Sequence, residues 1–166
     1  MFFDIVMAMD ESGGIGRQGS IPWKNPEEME WFKALTSRTE DPDKMNAVLM
    51  GKRTWESIPN KYRPLRNRVN GIISKSFADS FSDSPLGYHT LNEALEDMGT
   101  PRSGEYDIET IFVIGGAQLY NEALVHPDCR FVIVSMIKGD YDCDTFVEIP
   151  RSFSSVEKVV FPSFTV

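Results

Sequence analysis

Residues 111–124 read IFVIGGAQLYNEAL. A wholly apolar run meets a glycine pair, and a helical pattern, Ala117–Leu124, follows at once. Apolar residues without polar alternation mark a strand buried on both faces, the usual condition in a parallel sheet. The same kind of run recurs at Phe3–Met9, Asn46–Met50, Val69–Ser74, Phe131–Ile137 and Val156–Phe161, with the present strand spanning Glu109–Ile114. Helical patterns fall between several of them, at Asn25–Ser37, Thr54–Ile58 and Leu91–Met98. The third of these follows Thr90 with Glu93 three places on, a capping-box pattern. Strands alternating with helices predict an α/β fold with crossover connections. Residues 38–45 and 99–107 read as solvated loops within one domain spanning 1–166.

The 166 residues are 41 % hydrophobic and 25 % charged, enough for a real core without cross-links. A formal net charge of −8 makes nucleic acid an unsuitable partner, because a broad acidic surface repels phosphate backbones. The apolar runs Ile111–Ile114 and Phe131–Ile137 are too short to span a bilayer. The opening MFFDIVMAMD lacks a basic n-region and meets an acid at Asp4, so it does not read as a signal peptide. Cys129 and Cys143 lack metal-ligand spacing, and His89 and His126 stand apart from them. No metal is expected, and free thiols fit a cytoplasmic location.

Three junctions offer ligand contacts. At VLMGKRTWESI, residues 48–58, a strand ends at Gly51 and a helix begins near Thr54, with Lys52 and Arg53 at the turn. Free N–H groups at a helix start attract anions, although a basic turn is more often simply solvated. At Gly115-Gly116 two glycines allow close backbone approach, with a helix N-terminus behind. The pattern is neither GxGxxG nor a Walker A loop. Residues 10–20, DESGGIGRQGS, hold four glycines in eleven positions and suggest a mobile loop over a site, or an ordinary flexible loop.

One glutamate is out of place. The helix after Trp23 opens Asn25-Pro26-Glu27-Glu28, with Asn suited to the N-cap and Pro to the first position. Glu28 then sits where a capping-box carboxylate belongs. At ~100° per residue, however, Trp31, Phe32 and Leu35 form one apolar face. Glu28 points along the middle of that face, while Glu27 and Glu30 point away. An ionised carboxylate among aromatics is costly unless a donor-rich ligand meets it. These features together describe a cleft, with a phosphorylated cofactor at one end and an apolar, nitrogen-rich ligand at the other.

The pieces GGIGRQGSIPW (13–23), PEEMEWFK (26–33), VLMGKRTWESIP (48–59), RPLRNRVN (63–70), VIGGAQLY (113–120) and DCDTF (142–146) stand in an order that resembles the dihydrofolate reductase family over nearly the whole chain. The resemblance implies a mostly parallel twisted central sheet flanked by about four helices. It implies an oxidoreductase that reduces 7,8-dihydrofolate to 5,6,7,8-tetrahydrofolate with NADPH, by hydride transfer to pterin C6 and protonation at N5. Such an enzyme supports one-carbon metabolism and thymidylate and purine synthesis, and is an antifolate target.

The resemblance also distributes roles. Glu28 and Trp23 become catalytic: Glu28 bonds the pterin 2-amino and N3 groups and assists protonation through a water that Trp23 helps to hold. Val6, Met7, Phe32, Ile58, Leu65, Ile114 and Ser135 complete the substrate pocket, and Arg68 clamps the glutamate α-carboxylate. The cofactor falls to Ala8, Ile15, Gly16 and Ser20 at the nicotinamide-ribose half. Gly51, Lys52, Arg53, Thr54, Ser74 and Lys75 take its phosphates. Ile114, Gly115, Gly116, Ala117, Gln118, Leu119 and Tyr120 run along it, with a cis peptide between the two glycines. Residues 10–23 become a lid. Dihydrofolate and antifolate inhibitors are the implied partners, and the chain is a monomer or one domain of a fusion with thymidylate synthase.

Departures from the family pattern are Ala117, where many members have Gly or Ser, and Ser135, where a Thr is usual. After Pro162 only SFTV remains, so the usual last strand is very short or missing. Two other readings stay open. A pyrimidine reductase of the riboflavin pathway would share the cofactor side but would not need the IPW, Glu28, Phe32 and Arg68 array. A non-catalytic NADPH- or folate-binding or interaction module would bind cofactor without turnover.

Overall fold

The computed structural model describes residues 1–76, 85–101, 107–154 and 157–166. Strand β1 is Phe3–Asp10 and β2 is Gly14–Gly16. Helix α1 (Pro26–Ser37) leads to β3 (Lys44–Gly51), α2 (Lys52–Ser57) and a single 3-10 turn, Asn60–Tyr62. Then come β4 (Arg68–Ile73), β5 (Leu86–Tyr88), α3 (Leu91–Met98), β6 (Asp107–Val113) and α4 (Ala117–Leu124). Strands β7 (Cys129–Ile137), β8 (Thr145–Phe146) and β9 (Phe164–Thr165) complete the chain.

The central sheet has the order β5-β4-β3-β6-β1-β7-β9. Every pairing is parallel except β7 with β9, which is antiparallel. A second, two-stranded sheet pairs β2 with β8. The chain steps outward from β1 through β3, β4 and β5, returns with β6 between β1 and β3, and then places β7 on the far side of β1. Ligand crevices of α/β sheets open at the carboxyl ends of strands where the direction of winding reverses.

The buried runs explain this arrangement. Phe3, Ile5 and Met7 of β1 pack with Leu49, Ile111 and Val113 and with α3 and α4 residues such as Leu91, Leu95, Leu119 and Ala123. Val6, Val48, Met50, Ile72 and Phe112 face the other way, against Trp31, Phe32 and Leu35 of α1 and Trp55 of α2. Alternate residues of one strand point to opposite faces, so an all-apolar strand must be covered on both sides. Thr90 caps α3, accepting from the Glu93 N–H at 3.1 Å.

The expected strand at 156–161 requires correction. Val156 lies outside the described residues. Residues 157–161 form no regular strand, and Val160 makes only an isolated bridge with Thr165. Val159 and Val160 are largely exposed. The last regular strand is instead β9, which pairs Phe164 with Ile137 and Thr165 with Met136. The loop expected at 38–45 ends early, because Lys44 and Met45 already belong to β3. Of the loop expected at 99–107, residues 102–106 lie outside the described residues and Asp107 starts β6.

Candidate active site

Helix α1 begins as its first residues dictate. Asn25 is the N-cap and accepts the Glu28 backbone N–H through Oδ1 at 3.0 Å, with Pro26 in the first turn. The Glu28 side chain is buried, while Glu27 and Glu30 are exposed. Its Oε1 accepts from the Ser135 hydroxyl at 2.8 Å rather than reaching back to the cap. Ser135, on β7, is fully buried and lies level with Ala8 of β1. Burial pushes the Glu28 carboxyl above its ordinary range, and the Ser135 bond opposes this in part. No cation pairs with Glu28 among the described residues.

Two further aromatic side chains belong to this region: Trp23, two residues before the Asn25 cap, and Tyr120, which feels the Glu28 charge. Trp23 is buried against Ile137 and Phe164, with its ring edge-on to Tyr141 at 5.5 Å. Tyr120, on α4, donates its hydroxyl to the Val6 carbonyl at 2.8 Å. Burial and the nearby Glu28 charge push the Tyr120 pKa well above its ordinary value, so the phenol stays neutral. Phe32, Ile58, Leu65 and Ile114 are partly buried and pack on the sheet face that holds Val6. They form an apolar wall drawn from α1, the segment after α2, the entry to β4 and the end of β6. Met7 and Leu119 put their side chains into the core on the other face.

Arg68 opens β4 at the far end of this wall. Its guanidinium is buried, with Nε donating to the Arg66 carbonyl at 2.8 Å and Nη1 to the Thr36 hydroxyl at 3.0 Å. Burial lowers its pKa. No carboxylate meets it among the described residues. A guanidinium has donors to spare after two bonds, and a planar carboxylate is the group that fits them.

The other half of the crevice lies where β3 and β6 end. The Ile114 N–H donates to the Leu49 carbonyl at 2.9 Å, and the Gly51 N–H to the Gly115 carbonyl at 2.9 Å. The Gly115-Gly116 peptide is cis. A Cβ on Gly115 would stand 3.4 Å from the Tyr120 hydroxyl, and one on Gly116 3.5 Å from Thr54 Oγ1. Gly116 and Gly51 are the N-caps of α4 and α2, and neither helix start has a side-chain cap. Unfilled N–H groups beside small residues suit an anionic group approaching the backbone. Lys52 and Arg53 are exposed there; Lys52 lies 4.0 Å from Glu56, and Arg53 has no ion pair among the described residues. Ser74 and Lys75 follow β4, and the Ser74 N–H donates to the Tyr88 carbonyl at 2.9 Å. Ala117 is half-buried and Gln118 exposed.

The glycine-rich segment is better anchored than its composition suggests. Asp10 is fully buried at the end of β1, and Oδ1 accepts the backbone N–H groups of Ser12 at 3.0 Å and Gly14 at 2.8 Å. Its Oδ2 accepts the Tyr141 N–H at 3.0 Å and faces the Cys143 thiol at 3.5 Å. The backbone bonds hold the Asp10 carboxyl below its ordinary range against the opposing effect of burial. Asp144 accepts the Gln18 N–H at 2.9 Å and donates its own to the Gly16 carbonyl at 3.0 Å. Ile15 and Gly16 are thus half-buried in β2, while Ser20 is exposed in a turn with Arg17. Sequence reasoning missed Asp10, Tyr141, Cys143, Asp144 and Thr36. Asp10 and Thr36 carried a signal, as polar residues in positions whose periodicity is apolar.

The family model described as dihydrofolate reductase matches residues 2–161. Dihydrofolate reductase of Heliothis virescens is 37 % identical over 161 residues, covering 95 % of this chain and 82 % of that one. The bifunctional dihydrofolate reductase-thymidylate synthase of Glycine max is 38 % identical over 98 % of this chain, which spans 33 % of that protein. The solved structure of Schistosoma mansoni dihydrofolate reductase superposes with a TM-score of 0.76 at 31 % identity, over 99 % of this chain and 94 % of that one. The chain belongs to the dihydrofolate reductase family.

Proposed function

We propose that this chain reduces 7,8-dihydrofolate to 5,6,7,8-tetrahydrofolate with NADPH. The observation that carries the reading is Glu28: a buried carboxylate that, among the described residues, meets no cation and is bonded through its side chain to Ser135 alone, on a helix face that carries Trp31 and Phe32. A ligand with adjacent N–H donors on a flat ring satisfies such a group. In this reading Glu28 accepts from the pterin 2-amino and N3 groups. Burial raises its pKa and so favours the protonated form, and a water beside Trp23 relays a proton to N5. Phe32 stacks on the pterin, and Val6 and Ile114 complete the pocket around it, with Met7, whose side chain lies in the core on the other face, offering its backbone alone. Ile58 and Leu65 line the slot for the benzoyl group, and Arg68 presents its free donors to the glutamate α-carboxylate.

The residues at the ends of β3, β4 and β6 fit NADPH. Bound NADPH supplies the hydride that reaches pterin C6. Gly51, Gly115 and Gly116 allow a phosphate close to the backbone, and the uncapped starts of α2 and α4 offer N–H groups to it. Lys52, Arg53, Thr54, Ser74 and Lys75 meet the phosphates. Ala117, Gln118, Leu119 and Tyr120 follow along α4. Ala8, Ile15, Gly16 and Ser20 bound the nicotinamide-ribose half, with residues 10–23 covering it as a lid. The chain acts in the cytoplasm as a single domain, a monomer or the reductase part of a synthase fusion, and binds antifolates at the substrate site.

The test is direct. Purified protein is mixed with NADPH and dihydrofolate, and the loss of nicotinamide absorbance is followed with and without methotrexate. Methotrexate-sensitive oxidation is the expected result. No turnover by protein that circular dichroism shows to be folded would overturn the reading in favour of a binding module.

A further inference from the structure

The last turn of α1 carries a polar contact that its apolar face does not require. Thr36 lies on the side of the helix that holds Glu28 and Phe32, and it is fully buried. Its hydroxyl donates to the Phe32 carbonyl at 2.9 Å and accepts from Arg68 Nη1 at 3.0 Å. A hydroxyl has one proton, so donation to Phe32 leaves only lone pairs toward the guanidinium. The contact is therefore directional. With the bond from Nε to the Arg66 carbonyl it restrains the guanidinium at two of its nitrogens.

The helix end that carries Thr36 is itself held. Asn46, on β3, is buried and donates through Nδ2 to the carbonyls of Thr36 at 3.1 Å and Arg38 at 2.8 Å. Its Oδ1 accepts the Thr110 N–H of β6 at 3.1 Å. The last turn of α1 contains no basic residue to satisfy its carbonyls, so a side chain from the sheet does so instead. Glu28 and Thr36 are then two fixed points on one rigid helix, about 12 Å apart along its axis at 1.5 Å per residue.

We propose that Thr36 is a positioning residue for substrate recognition. It does not touch the ligand. It holds Arg68 so that Nη2 faces the terminal carboxylate at a set distance from Glu28, and so it tunes preference for ligands with a carboxylate at that reach. The inference rests on the proposed role of Arg68.

The experiment compares Thr36→Val, Thr36→Ser, Arg68→Leu and the Thr36→Val/Arg68→Leu double variant. Thr36→Val keeps the shape and removes the acceptor. It is expected to raise the KM for dihydrofolate roughly tenfold, the scale of one hydrogen bond to a charged group, with kcat changed less than about twofold. Thr36→Ser restores the parental KM. A pterin lacking the glutamate inhibits parent and Thr36→Val equally well. In the double variant the valine adds nothing to the effect of Arg68→Leu. A parental KM in Thr36→Val, no rescue by serine, equal weakening of the pterin, or additive effects would each overturn the inference. An unchanged KM in Arg68→Leu would instead sink the clamp reading beneath it. Should the valine variant not fold, Thr36→Ala carries the same comparison.

Discussion

Phe164→Ala tests whether the two-residue strand β9 braces the site. Phe164 is fully buried and stacks on Phe161 with ring centroids 4.4 Å apart and planes 9° apart. It also meets Trp31 at 6.0 Å, and it shares a cluster with Trp23 and Ile137. The backbone of this segment is tied independently of the side chain. Phe161 N–H donates to the Phe164 carbonyl at 2.7 Å, and Val159 and Val166 exchange bonds at 2.8 and 2.7 Å. Truncation therefore leaves a cavity rather than a loose tail. Loss of transfer energy and cavity formation together cost about 3–5 kcal/mol for a buried phenylalanine. That is a large part of the ~5–15 kcal/mol that typically separates native from unfolded protein. For a chain of this size it lowers Tm by roughly 6–20 °C. Urea titration measures it as a lower midpoint with an unchanged slope. Phe161→Ala costs less, because Phe161 is only half-buried. The site should respond too. Trp23, two residues before the Asn25 cap of the helix that carries Glu28, loses a packing partner. A loss below about 1 kcal/mol, or an equal loss in Phe161→Ala, would refute the view that Phe164 is core.

Three further outcomes are expected. Glu28→Gln loses most turnover at neutral pH, with partial rescue in acid. It is also more stable than the parent near neutral pH. The folded-state pKa of Glu28 is raised, so the native protein holds its proton longer than the unfolded chain, and parental stability falls as pH rises from the ordinary carboxyl range through the folded pKa. The advantage of glutamine should vanish in acid; urea titrations at acidic and neutral pH that show no crossover would contradict the buried charge. Ser135→Ala removes the donor 2.8 Å from Glu28, raises its pKa further, and moves the alkaline limb of the kcat/KM profile to higher pH, while Ser135→Thr does not. An unmoved limb in the alanine variant would show that Ser135 does not act on Glu28. Gly115→Ala costs about 1–3 kcal/mol because its φ of 130° is strained for any side chain. Gly116, at φ −94°, accepts alanine with little loss of stability, yet its added Cβ weakens NADPH binding. Parental affinity for NADPH in Gly116→Ala would remove the case for close approach at that glycine.

The features legible in the sequence were those with local causes. Asn25-Pro26 marked the start of α1, and the 3.6-residue period put Glu28 on its inner face. The alternative, a capping-box carboxylate, fails because Asn25 already serves the Glu28 N–H and the Glu28 side chain turns to Ser135. Strands buried on both faces announced themselves as apolar runs. Strands β2, β5, β8 and β9 are two or three residues long, too short to display a period, and β2 finds its partner β8 near the other end of the chain. The segment near 156–161 shows the opposite failure. Its composition suits a strand, yet β9 occupies the edge of β7 at Met136 and Ile137. Asp10 illustrates the same limit within the site. Its nearer bonds are local, but its tie to Tyr141 spans 131 positions, which no local pattern encodes.

Glu28 and Arg68 pose the same physical problem at two ends of the apolar wall. They carry opposite charges, both are buried, and burial pushes each toward its neutral form. A fold selected for stability alone would pair them or replace them with apolar residues, since a buried charge without its partner is strongly unfavourable. Neither has happened. Glu28 stands near the start of α1, Arg68 is tied to its last turn through Thr36, and the rigid helix between them prevents direct neutralisation. Each instead has a neutral hydroxyl as a partial substitute for a counter-charge, from Ser135 on one and from Thr36 on the other. A ligand that is rich in donors at one end and anionic at the other would complete both at once. Its binding then contributes folding stability that the free protein lacks, about 2.7 kcal/mol at a hundredfold excess over Kd. Under the proposed function, these two buried charges are one recognition device read at its two ends.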